Sequence, residues 1–153
     1  MNDSAYLAAL KLLSGRELSE RQLCQRLARR GHDQAAIQAA VSRLKEDRSL
    51  DDARAALSIA RTESTIRKRG RLRIRQRLES LGIATEVARR AIDEALAEID
   101  EDAVLVGALQ SRLRGRSTIA DEREFSRLYR FLVGQGFEAD RVLALLRTLK
   151  YEE

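Results

Sequence analysis

Arg67-Lys68-Arg69-Gly70-Arg71-Leu72-Arg73-Ile74-Arg75-Gln76-Arg77-Leu78-Glu79-Ser80-Leu81-Gly82-Ile83 decides the fold, because two secondary structures fit it and only one of them recurs along the chain. Leu72, Ile74, Gln76 and Leu78 alternate with Arg71, Arg73, Arg75 and Arg77, as in a half-buried strand. In a helix, Ile74, Leu78 and Leu81 instead share one stripe at i, i+4, i+7. Arg71 and Arg75 then flank it on one side, and Arg73 and Arg77 on the other. Gly82 would end that helix as its C′ residue. The helical stripe repeats twice more and the alternation does not, so the spacing predicts a helix that buries Leu and Ile and shows arginines on both flanks.

Working outward, Gly31, Gly82 and Gly136 stand 51 and 54 residues apart. Four residues before each stand Leu27, Leu78 and Leu132; eight before stand Leu23, Ile74 and Leu128; ten after stand Val41, Ile92 and Leu146. This is an internal repeat. Before each second helix lies an apolar pattern, read as Met1 to Leu13 stopping at Ser14-Gly15, as Asp52 through Arg61 toward Ile66, and as Val104 to Leu113 ending at Gly115. After each lies another, with Ile37, Val41 and Leu44, with Ala88, Ile92 and Leu96, and with Val142, Leu145 and Leu146 over Asp140–Leu149. Caps are predicted at Ser19 with Gln22, and at Asp33, Asp51 and Thr85, and the run Asp100 to Asp102 begins the third round. The expected architecture is all-α without strands, an elongated tandem array of three three-helix repeats at 1–49, 50–99 and 100–153, since units near 50 residues lean on their neighbours.

Composition agrees: there is no Pro or Trp, aromatics make up 4%, and Ala, Leu, Arg and Glu dominate. The net charge is +5, carried by Arg except at Lys11, Lys45, Lys68 and Lys150. Residues 101–153 hold nine bases and nine acids, so the excess lies in the first two thirds. Arg favours planar, bidentate contact with phosphate or carboxylate. Seven of the eleven residues from Arg67 to Arg77 are basic (Arg67, Lys68, Arg69, Arg71, Arg73, Arg75, Arg77) and none is acidic, a concentration that favours a nucleic-acid or acidic-partner contact over a solvated face. Arg26, Arg29 and Arg30 extend the candidate site, and Arg112, Arg114 and Arg116 form a secondary basic cluster.

No phosphate loop, nucleophile with its base, or metal set is present, so no enzyme and no cofactor are expected. Asp51, Asp52 and Arg54 read as capping. Asp93 and Glu94, with Glu98 to Asp102, read as solvated helix ends. His32 fills the turn slot held by Ile83 and Phe137, and Cys24 is a small, partly buried side chain that excludes an internal disulfide. Tyr129 and Phe131 cannot both face one narrow core at i, i+2, so one of them is a candidate protein contact. The opening segment has no leader plan and no apolar run reaches bilayer length, so a cytoplasmic protein without a membrane partner is expected.

The chain resembles the RecX family, bacterial regulators of the RecA recombinase. The resemblance lies in Arg16 to Leu23, in Leu50-Asp51-Asp52-Ala53-Arg54 followed by Arg61, in Gly70 through Arg73 and Ile74 to Ile83, and in Arg127 to Leu132 with Gly136-Phe137. The family usually has aromatic residues where Ser49 and Ala55 stand, and proline where Arg71 stands. The resemblance implies a tandem of three-helix repeats that binds the RecA filament in its groove near the DNA and restrains its activities.

Overall fold

The computed structural model describes residues 3–153; Met1 and Asn2, which the expected first helix included, lie outside the described residues. Among the described residues nine helices follow one another: α1 Asp3–Gly15, α2 Glu20–Arg29, α3 Gln34–Glu46, α4 Asp52–Thr65, α5 Arg71–Ser80, α6 Thr85–Ala97, α7 Glu101–Leu113, α8 Glu122–Gly134 and α9 Ala139–Leu146. The arginine-rich stretch is helical, with Ile74 and Leu78 fully buried and Leu72 left 41% exposed.

Local chemistry sets the helix starts. Ser19 accepts from the Gln22 N–H at 3.1 Å, and the Gln22 side chain accepts from the Ser19 N–H at 2.9 Å, a complete capping box. Asp33 accepts from the Ala36 N–H, Asp51 from those of Ala53 and Arg54, and Asp100 from those of Asp102 and Ala103. Thr85 is not a cap: the Ala84 carbonyl accepts the first bond of α6, from the Ala88 N–H, so Thr85 is already inside the helix.

The second helix of each trio ends in the same way. Gly31, Gly82 and Gly136 take φ values of 88°, 80° and 101°. Their N–H groups donate to Ala28, Glu79 and Val133, while those of His32, Ile83 and Phe137 donate back to Leu27, Leu78 and Leu132 at 3.2, 3.2 and 3.3 Å. These are three Schellman motifs, which is why a left-handed residue recurs at that position.

Two compact units share the chain, Met1–Ile59 with Arg77–Ala91 and Ala60–Gln76 with Ile92–Glu153. In the first, α1, α2 and α3 enclose Leu18, Leu23, Leu27, Ile37, Val41 and Leu44. In the second, α8 packs on α7 and α9 around Leu105, Leu109, Leu128, Leu132, Val142 and Leu146.

A strand-free chain was expected, and here the structure differs. Thr118–Ile119 (β1) and Lys150–Tyr151 (β2) pair in parallel, and the Glu152 N–H donates to the Ile119 carbonyl at 2.8 Å. Helix α7 stops at Arg114 and Gly115, both left-handed, and the extended β1 segment then offers free backbone edges. Helix α9 ends at Leu146, short of the expected Leu149, which returns the last residues to that edge. Two residues per strand are too few to leave a period in the sequence.

Buried Glu124 lies beside this pair. The Arg116 guanidinium donates to its carboxylate, the Ala120 N–H adds a bond at 2.7 Å, and together they hold its pKa down from 4.5 to about 2. A folded pKa below the unfolded one contributes stability that is present above about pH 4.5 and lost as the pH falls toward about 2. The melting temperature of the parent should therefore drop more steeply between about pH 5 and about pH 2 than that of Glu124→Gln; parallel slopes in a pH series of thermal melts would disprove the coupling.

Candidate basic interface

Helix α5 and the loop before it carry the basic run, and a buried carboxylate organises that loop. Glu63, 3% exposed in the last turns of α4, accepts from Arg69 Nη1 at 2.7 Å and faces Arg67 Nη1 at 3.6 Å. Its backbone carbonyl takes the Arg69 N–H at 2.9 Å. The loop thus folds around one acid, with Lys68 at a φ of 52° and its side chain laid near Gly107 of α7. An acid in the buried stripe that contains Ala56 and Ala60, placed just before a basic run, is the signal that would have disclosed this pair.

Gly70 and the first turn of α5 rest on backbone. The Gly70 N–H donates to the Gln135 carbonyl at 2.8 Å, and the Leu72 N–H to the Gly136 carbonyl at 3.2 Å. A Cβ on Gly70 would lie 2.6 Å from the Gly136 carbonyl carbon, so glycine is required for this approach. These two bonds fix the start of α5 where a proline's preset φ is missing.

The seven bases therefore separate by environment. Arg67 and Arg69 share Glu63, and Arg71 pairs with Asp93 at 2.6 Å, so this acid of α6 is a partner and not merely a solvated helix end. Arg73 makes one weak bond, from Nη1 to the Gly134 carbonyl at 3.3 Å. Arg73, Arg75 and Arg77 are exposed along α5, as is Lys68 before it. In α2 the half-buried Arg26 precedes exposed Arg29 and Arg30, which follow the helix to its C-terminal end. There the cations also complement the helix dipole.

The secondary cluster is not one patch. Arg112 lies over the Phe131 ring, 3.9 Å from its centroid, Arg114 is the left-handed C-cap of α7, and Arg116 is engaged by Glu124 and, at 3.7 Å, by Glu152. Tyr129 and Phe131 are both half-buried against the core of the second unit. The aliphatic side chains left in water near the basic run are Ile66, 75% exposed, and Leu72. Leu72 lies off the helical stripe of Ile74, Leu78 and Leu81, and Ile66 follows the last turn of α4. Cys24 is half-buried and free, its thiol pKa raised by burial and by nearby Glu20. Among the described residues no His, Cys, Asp and Glu group is arranged to hold a metal, and no helix is long and apolar enough to cross a membrane.

Comparison with known proteins supplies the context. The first three-helix domain of RecX matches residues 5–44, and the second three-helix domain of RecX matches residues 51–96. The regulatory protein RecX of Halorhodospira halophila is 39% identical over 138 residues, covering 90% of this chain and 83% of its own. That of Vibrio campbellii is 32% identical over 140 residues, covering 91% and 87%. The crystal structure of RecX from Lactobacillus salivarius matches in fold with a TM-score of 0.78 at 19% identity, over 96% of this chain and 95% of that one.

Proposed function

The chain belongs to the RecX family of regulatory proteins, and on that premise we propose that it regulates the RecA recombinase by binding the RecA–DNA filament along its groove, restraining filament growth, ATPase and strand exchange. It acts by binding and not by catalysis. The observation that carries the reading is that Arg73, Arg75 and Arg77 are all exposed on one ten-residue helix that directly follows the basic loop. Their exposed guanidinium groups are the ones to meet phosphates or an acidic groove, with Arg26, Arg29 and Arg30 as a second set.

The deciding measurement compares binding to bare single-stranded DNA with binding to recombinase-coated DNA at one salt concentration. Strong preference for the coated form is expected. Equal binding would make the protein a free-standing DNA-binding protein instead.

Changing Arg73, Arg75 and Arg77 together to Gln keeps helix propensity while removing three charges, and it spares the Arg71–Asp93 pair. If the arginines contact phosphate, bare-DNA affinity falls and the slope of log K against log salt shrinks by up to about 0.7 per lost contact. If they contact acidic protein, bare-DNA binding holds while inhibition of the recombinase ATPase is lost. A folded variant that matches the parent in both assays would refute this face as the interface.

A further inference from the structure

The chain contains one junction twice. In the first unit the Ser19 hydroxyl, at the start of α2, donates to the Leu81 carbonyl at 2.6 Å, and Ser19 is fully buried. The adjoining Gly82 lies so close that a Cβ there would sit 2.5 Å from Arg21 Nε. In the second unit the Gly70 N–H, at the start of α5, donates to the Gln135 carbonyl, and Gly136 abuts backbone, where a Cβ would sit closer than 3.0 Å to the Arg73 nitrogen. Ser19 and Gly70 stand twelve residues before Gly31 and Gly82, and Leu81 and Gln135 each stand one before a repeat glycine. The start of each second helix thus seats the glycine turn of the next repeat.

Each half of this junction also occurs once without its mate. The first half is the turn Arg30-Gly31-His32. It has the same Schellman bonds as the seated turns, yet a Cβ on Gly31 would meet nothing within 4 Å. The second half is the start of α8. Its N-cap is Asp121, the counterpart in place of Ser19 and Gly70, and two residues into the helix stands Glu124, buried and held by Arg116. Here the place of a following turn is taken by the last residues: Glu152 faces Arg116 and donates its N–H to Ile119, Lys150–Tyr151 pairs with Thr118–Ile119, and the Tyr151 hydroxyl donates to Glu122 in the first turn of α8.

We propose that Lys150–Glu152 is a cap on the second half of the repeat junction, and that its release lets the Arg30-Gly31-His32 turn of a second copy dock there, head to tail. The occupant is a second copy because the two faces are the two halves of an interface the chain already forms twice. Repeat proteins propagate when such a terminal face is left uncovered and stop when a polar cap covers it. The cap here is polar throughout, made of an Arg between two Glu and a Tyr on a third.

Sedimentation equilibrium over a wide concentration range tests this on the parent, on a chain truncated after Leu149, and on the full-length double variant Tyr151→Ala, Glu152→Pro. The double variant removes the Tyr151 phenol with its bond to Glu122, and the Glu152 N–H and carboxylate, while keeping the chain at full length, so the test does not depend on the truncated chain folding. The parent should hold one mass, and the uncapped chains should gain mass with concentration. Gly31→Asn in the uncapped background should restore the single mass: Asn tolerates a positive φ, and open space at Gly31 admits it, while a side chain at either seated glycine would collide. A folded, uncapped chain that stays at one mass overturns the proposal, as does association that survives Gly31→Asn, or a parent that already associates through that turn.

Discussion

Ile74→Asp should cost several kcal/mol of stability, enough to unfold much of the chain at 37 °C, while Arg75→Ala one position away stays within about 1 kcal/mol. Ile74 is fully buried on the stripe it shares with Leu78, so the new carboxylate would be removed from water. The arginines cannot rescue it, since they lie on the flanks and face outward. Arg75 is exposed, and losing an exposed charge changes little. Urea titrations of both variants check this. Equal midpoints would mean that the inward and outward faces of α5 are wrongly assigned.

The second large effect is expected at a glycine. Gly136→Ala places a Cβ closer than 3.0 Å to the backbone nitrogen of Arg73, at a φ of 101°. The left-handed backbone alone costs about 1–2 kcal/mol for a non-glycine residue. The clash adds to it, because backbone cannot step aside without breaking the bonds from Gly70 and Leu72 to Gln135 and Gly136. Gly31→Ala is the matched control. It has a similar φ of 88° and open space, so it should show the conformational cost of about 1–2 kcal/mol and no more. Thermal melts with a similar loss in both would show that the close approach at Gly136 contributes nothing.

The fold was legible where its causes are local. Ser19 with Gln22, Asp33 and Asp51 cap helices through bonds that span two or three residues, and the glycine turns close over six, so type and spacing suffice. The α5 ambiguity was settled by repetition, and exposed Leu72 shows why alternation misled: it is an apolar residue that the helix leaves outside. Thr85 failed as a cap because Ala84, with no side-chain acceptor, starts α6 one residue earlier. The site was legible only as a density of charge. The ion pairs of Arg71 and Arg69 depend on Asp93, 22 residues beyond Arg71, and on a glutamate within a buried stripe, and no local spacing encodes such partners. The β1–β2 pair joins residues 32 apart through backbone alone, which leaves no trace in side-chain pattern.

The junctions also impose an order on synthesis. Chains emerge from the ribosome amino end first. Ser19 waits for Leu81, and Gly70 waits for Gln135, so α2 and α5 each leave the exit tunnel more than 60 residues ahead of the carbonyl that will hold their first turn. Until then the basic helix is tethered at its carboxyl end and loose at its amino end. A translational pause between Gly70 and Gln135 would hold the nascent chain with its most cationic segment half-docked, and amide exchange at Gly70 and Leu72 would report the moment the downstream turn arrives.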